Sequence, residues 1–205
     1  LSLQSALFTI ISMLIARIIS AWGPQAIAVQ RVGGQIEQIS WLTAGGFQSA
    51  MSAFTGQNYG ARQGQRVYRG YFVGVGIVSV IGIVATLTLY FGSGRLFAIF
   101  IPEQEVILLG ASYLKIIAAA QFFQSLEILT AGAFIGLGKT TPPSVVGITL
   151  NVLRIPAALV LAATALGLDG VWWAISISSI LKGVILSIWY LRFMNTNSAM
   201  LQLRN

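Results

Sequence analysis

The residues best suited to chemistry in this sequence are charges embedded in apolar runs. Glu37 lies in "AIAVQRVGGQIEQISWL", Glu127 in "QFFQSLEILTAG", Arg154 in "NVLRIPAALVL" and Lys182 in "ISSILKGVIL". A charge inside a membrane span costs at least about 2.5 kcal/mol on insertion scales and tends to face a bundle interior or a cavity. A carboxylate in such a place can hold a proton, a Na⁺ ion or an organic cation in turn. Each occupant excludes the others by competition for the same oxygens, which is the logic of antiport. A buried structural ion pair is the alternative for the same side chains, and the residues alone leave both open.

The neighbours of these charges are polar at helical spacing. Gln121, Gln124, Ser125 and Glu127 share one broad helix face, and Asn151 and Arg154 are three residues apart. Gln30, Gly33, Gly34 and Glu37 follow the same spacing, with Gln38 and Trp41 alongside. Polar stripes turn inward because lipid offers them no hydrogen-bond partners. They either glue helices together or line a shared wet cavity. The candidate substrate- or ion-binding residues are therefore Glu37, Glu127, Gln124, Gln121, Asn151, Arg154 and Lys182. Lys115 is deep enough in its helix to be ambiguous, whereas Arg17 and Arg31 are near enough to helix ends to snorkel to the headgroups.

The elements that must position these groups follow from composition. The chain is 56% hydrophobic and only 8% charged, against roughly 25% charged in soluble domains. Its fold class is an all-α membrane protein, with six candidate transmembrane helices of about 20 apolar residues each. They run over about 1–21, 26–56, 67–91 (ending at "FGSG"), 106–137, 143–165 and 170–193, with a polar tail over 194–205. The start lacks an initiator Met, which suggests the interior of a longer protein. Short loops predict that sequential helices pack as antiparallel neighbours. The formal net charge of +7 is read as loop bias rather than nucleic-acid binding. Arg62, Arg66, Arg69, Lys139, Arg192 and Arg204 fall on one side, with Arg95 the lone basic loop residue opposite. This places both termini in the cytoplasm, in a multi-pass plasma-membrane protein. Trp22, Trp172 and Trp173 are expected in an outer aromatic belt and Trp189 in an inner one. The chain has no His and no Cys and no paired Asp motif, so an enzyme is not expected, and no cofactor is needed beyond a coupling ion. Pro156 inside the fifth span and the Gly132–Gly136 pair read as close helix packing or as hinges.

One loop stands apart. In "FTGQNYGARQGQRVYRG", Gly56 and Gly60 suit a strained backbone leaving the second helix, and the spacing is not that of a phosphate loop. Extended upstream, "AVQRVGGQIEQISWLTAGGFQSAMSAFTGQNYGARQGQRVYRG" resembles the second-half signature of the multidrug and toxic compound extrusion (MATE) family. The resemblance rests on "IEQ" with Glu37, on Gly46, Phe47 and Ala50, and on the turn residues Gly56, Gln57, Asn58, Gly60, Ala61 and Arg66. "GAFIGLGKTTPP", "NVLRIPAALVL" and "GLDGVWWAISISSILKG" are similar to its later helices. It implies one six-helix lobe, the C-terminal one, of a twelve-helix bacterial transporter. Such proteins export cationic or amphipathic drugs in exchange for Na⁺ or H⁺, and the partner implied is an N-terminal lobe. Some Na⁺-coupled members carry Glu in the first helix of this lobe and Asp in the fourth. Here Phe8 and Gln124 stand roughly at those places. A flippase of lipid-linked substrates in the same superfamily is the alternative.

Overall fold

The computed structural model describes residues 2–196, with side chains from residue 6 onward. Leu1 and the expected tail beyond Thr196, with Arg204, lie outside the described residues. Helix α1 spans Ser2–Ile19 and passes through a 3₁₀ turn, Ser20–Trp22, into α2, Pro24–Gly60. Then follow α3 (Gly64–Phe100), α4 (Gln104–Gly136), α5 (Thr141–Ala162) and α6 (Leu168–Thr196). By length and composition α3, α4, α5 and α6 can each cross a membrane. Helix α2 is long enough at 37 residues, but Gln, Glu and Arg dilute its apolar character; α1 is shorter.

Local chemistry explains where the helices stop. Helix α3 runs through Gly92 and Gly94 to Phe100, beyond the "FGSG" stretch at which the sequence pattern ends it. An interior glycine costs only about 1 kcal/mol, whereas Pro102 forces the residue before it out of helical geometry. Ile101 accordingly sits at φ −138°, ψ 125°. Helix α4 ends with Gly138 at φ 72°, its N–H bonded to Ile135 O and that of Lys139 to Phe134 O, both at 2.9 Å. That is a Schellman closure, and Pro142 and Pro143 then start α5. The α2–α3 turn departs from expectation. Gly56 and Gly60 are both still helical, and Arg62 takes the left-handed conformation at φ 58°. Bonds from Arg62 N to Tyr59 O and from Gln63 N to Asn58 O hold it there.

Packing also corrects the nearest-neighbour expectation. Helix α4 is the centre, packed on α2, α3 and α6, while α1 packs chiefly on α5 and barely touches α2. Helices α4 and α5, joined by a short turn, hardly meet either. The reason is where backbones can approach. A Cβ on Gly132 would collide with Gln48 O of α2, and one on Gly136 would lie 2.5 Å from Ser52 O and 3.1 Å from Gly56 N. On the other side of α4, Gly183 of α6 lies against the Phe123 backbone. Small residues let α4 meet α2 and α6 almost backbone to backbone, while α1 and α5 pair with each other. Pro156 leaves α5 unbroken, since the helix is continuous through it.

Two apolar cores result. One gathers Val29, Phe97, Tyr113, Leu114 and Trp172; the other gathers Val67, Tyr71, Leu129, Phe134 and Tyr190. In the second, Tyr71 and Thr130 hydroxyls pair at 3.0 Å. Trp172 departs from the aromatic-belt expectation. It is fully buried, and its indole N–H donates to Gln30 Oε1 at 3.1 Å. A helix turns about 100° per residue, so Trp172 faces the core while the adjacent Trp173 is only half-buried. Trp172→Phe should leave Gln30 Oε1 without this donor and lower the melting temperature of the detergent-solubilised protein, at about 0.5–1.5 kcal/mol for the lost bond. An unchanged melting curve would mean that the bond contributes nothing to stability.

Candidate functional site

Between the two cores lies a polar waist. On α4 the first core ends at Ala118 and the second begins at Leu129, and Gln121, Gln124, Ser125 and Glu127 fill the interval. On α6 the interval between Ala174 and Leu186 holds Ser176, Ser178, Ser179 and Lys182. On α5 it holds Asn151 and Arg154, between Val146 and Ala158. Apolar residues close both ends, so the polar groups of these three helices fall in one zone between the two cores.

The waist opens into a groove lined by residues of α1, α2, α4, α5 and α6. It contains two compartments. The first, about 380 Å³, is lined by Glu37, Tyr113, Arg154, Arg31 and Ser179 among others. The second, about 570 Å³, is lined by Glu127, Asn151, Gln48 and Thr140. Phe8, Trp41, Gln124 and Lys182 line both. The Phe8 and Trp41 rings stand 6.3 Å apart in a tilted pair. Along α4, Glu127 follows Tyr113 by four helical turns, about 21 Å at 1.5 Å per residue.

Glu37 is buried on α2, where the Tyr113 hydroxyl of α4 donates a hydrogen bond to its Oε1. Gly33, one turn earlier, makes this possible: a Cβ there would occupy the space of the Tyr113 ring. Tyr113 also packs edge-on against Trp172, with centroids 5.2 Å apart. Arg154 lines the same compartment. Arg154 is itself held on α6, donating from Nε to Ser178 Oγ at 2.8 Å and from an Nη to Ser179 Oγ at 3.4 Å. Ser178 passes its own hydrogen to Ile175 O at 2.8 Å. In the second compartment Lys182 Nζ lies 3.2 Å from Glu127 Oε2.

The sequence candidates thus divide. Glu37 and Arg154 line the first compartment, Glu127 and Asn151 the second, and Gln124 and Lys182 both. Gln121 is buried but lines neither, and its Nε2 has no hydrogen-bond partner among the described residues. Arg31 is exposed yet lines the first compartment rather than only reaching for headgroups; Arg17 and Lys115 are exposed. The turn signature is elsewhere. Gly56 serves the α2–α4 crossing, Asn58 Nδ2 donates to Phe54 O at 2.8 Å, and Arg66 donates to Gln63 Oε1 at 2.9 Å. Gln57, Gly60 and Ala61 are exposed around that turn. Sequence reasoning missed Tyr113, Ser178 and Ser179. Tyr113 sits in an apolar run, and only its match to Gly33 across two helices marks it.

The first compartment can hold a proton or cation on a carboxylate whose orientation a phenol fixes. Tyr113→Phe keeps the ring and removes the donor, so Glu37 becomes free to turn. Expected is a several-fold weaker cation dependence of Trp fluorescence with near-native melting. Gly33→Ala should cost more stability, because it dislodges the whole ring. Equal effects of the two would argue against a positioning role for the hydroxyl.

Comparison with known proteins agrees with this architecture. A sequence profile of the MatE family matches residues 1–160. The chain is 24% identical over 196 residues to the probable multidrug resistance protein NorM of Thermotoga maritima, covering 93% of this chain and 41% of that protein. A MATE crystal structure in the bent conformation superimposes with TM-score 0.90 at 18% identity, covering 98% of this chain and 45% of the other. An inward-facing multidrug resistance MATE transporter of the MOP superfamily gives TM-score 0.87 at 19% identity, covering 95% and 46%. The chain spans less than half the length of these relatives and structures.

Proposed function

Because the chain belongs to the MatE family, we propose that it is the C-terminal lobe of a secondary multidrug antiporter. It is a multi-pass membrane protein, and its function is transport rather than catalysis. It exports cationic or amphipathic drugs in exchange for Na⁺ or H⁺ as coupling ion, with an N-terminal lobe completing the pathway through the lipid bilayer. The observation that carries this is the Glu37–Tyr113 pair, a carboxylate buried in a polar compartment and oriented by a phenol. The basic side chains Arg62, Arg66, Arg69, Lys139 and Arg192 gather at one end of the helices, which supports a cytoplasmic assignment of that end and of both termini. The membrane is then the plasma membrane of a bacterial cell.

The test is drug efflux from proteoliposomes of the full transporter, with Na⁺ and H⁺ gradients imposed separately. Export driven by one gradient and silent with the other assigns the coupling ion, and export indifferent to both overturns antiport. One observation favours a second reading. Arg31, Arg154 and Lys182 outnumber Glu37 around the first compartment, which suits an anionic lipid-linked substrate carried by a flippase. Competition of such a lipid with drug export would decide between them.

A further inference from the structure

The second compartment has three features that the exchange at Glu37 does not use. Its carboxylate, Glu127, already holds a cation that belongs to the protein, the Lys182 ammonium at 3.2 Å. Its wall carries an acceptor with nothing to accept, since Asn151 is nine-tenths buried and its Oδ1 has no hydrogen-bond partner among the described residues. Lys182 itself lines both compartments, so its flexible stem gives the ammonium a second place to go. A buried acceptor without a donor is costly to maintain, and Glu127 lines the same compartment, so the two oxygens are a donor set suited to a cation. The compartment is far larger than a bare ion, at about 570 Å³, and the rings of Phe8 and Trp41 line it. Aromatic faces attract organic cations.

We propose that the Glu127 compartment binds an organic cation through Glu127 and Asn151, and that Lys182 is a tethered competitor displaced from Glu127 when the cation arrives. In the empty state the tether neutralises Glu127, so the lobe does not hold an unpaired charge in a low-dielectric interior. On binding, the ligand's positive charge takes over that duty, and Lys182 moves toward the first compartment, where Glu37 is the acidic side chain. The two compartments are thereby linked through one side chain. Occupation of the second adds positive charge beside Glu37 and weakens whatever cation or proton Glu37 holds. The choice of an organic cation rests on the export function proposed above, but binding at equilibrium stands or falls apart from efflux.

Tetraphenylphosphonium, a lipophilic cation, is the probe, titrated into the purified protein in nanodiscs while Trp fluorescence is followed. Lys182→Met should tighten its Kd on the order of tenfold by removing the competitor. Asn151→Leu should weaken it, and the double variant Lys182→Met/Glu127→Gln, which leaves no unpaired charge, should fold and lose the gain. A Lys182→Met protein that melts normally and binds the probe no better overturns the proposal, as does a double variant that keeps the tighter binding. A measurement on the unmutated chain covers the case in which Lys182→Met fails to fold. The sequence has three lysines, Lys115, Lys139 and Lys182, so ¹³C-methylation gives few resonances, assigned by conservative Lys→Arg variants. The Lys182 resonance should shift with tetraphenylphosphonium. Probe binding that leaves it unmoved overturns the tether, and a shift produced by NaCl alone, with none from the organic cation, overturns the ligand class.

Discussion

Glu37→Gln in the full transporter is expected to abolish gradient-driven drug export, by about two orders of magnitude or more, the scale seen when a positioned proton-transfer group is lost. The substitution keeps the shape of the side chain and an oxygen that can still accept from Tyr113, so packing around Gly33 and Trp172 survives. It removes the negative charge and with it the proposed site for a proton or cation. Membrane expression and melting temperature should therefore stay near native, which separates loss of exchange from loss of fold. Arg154 then faces no carboxylate in the first compartment, although Ser178 and Ser179 still hold its guanidinium. Export in Glu37→Gln vesicles at the unmodified rate would remove Glu37 from the mechanism altogether. Glu37→Asp offers a finer comparison. Shortening the side chain by one methylene keeps the charge but withdraws it from the Tyr113 hydroxyl, so an intermediate rate is expected.

The second large effect is on stability, at the α2–α4 crossing. Gly132→Val should destabilise the fold by about 1–3 kcal/mol or more, because the new side chain meets the Gln48 carbonyl, which is helical backbone and cannot turn aside. Gly136→Val meets Ser52 O at the same crossing. The double variant should cost less than the sum, since helices already pushed apart by one side chain have room for the second. Gly94→Ala, at a position with open space beside it, is the matched control and should be neutral or slightly stabilising, as helix propensity favours alanine. The measurement is the melting midpoint of the detergent-solubilised protein. Equal midpoints for Gly132→Val and Gly94→Ala would mean that the crossing does not hold the lobe together. The crossing also carries function indirectly, because α2 brings Glu37 and α4 brings Tyr113.

Much of the site is legible in residue types and spacing. Glu37, Gln124, Glu127, Asn151, Arg154 and Lys182 all reach the two compartments, because a hydrocarbon surround offers polar groups no partner and drives them inward together. Gln121 obeys the same rule and turns inward, yet it lines neither compartment. Inward is a half-space, not an address. The Gly132–Gly136 pair announces a close contact by its spacing, but not that its partner is the turn-side end of α2. The turn signature points to a nearby helix end, but α2 runs past Gly56 to Gly60, and Arg62 rather than a glycine takes the left-handed backbone.

Composition and pattern dictate the solvent and the depth of the polar groups. Apolar length and scarce charge leave helices in lipid as the available form, and a charge within such a run must face inward at its own height. Which groups meet is settled by packing in three dimensions. Tyr113 reaches Glu37 because Gly33 clears its path, Lys182 finds Glu127 across the α4–α6 contact, and α1 pairs with α5 instead of its neighbour α2. These choices follow from matching surfaces between helices far apart in the chain, where the approach of two backbones depends on both at once. Helical periodicity describes one helix at a time, so it sets each residue's face and leaves the partner to packing.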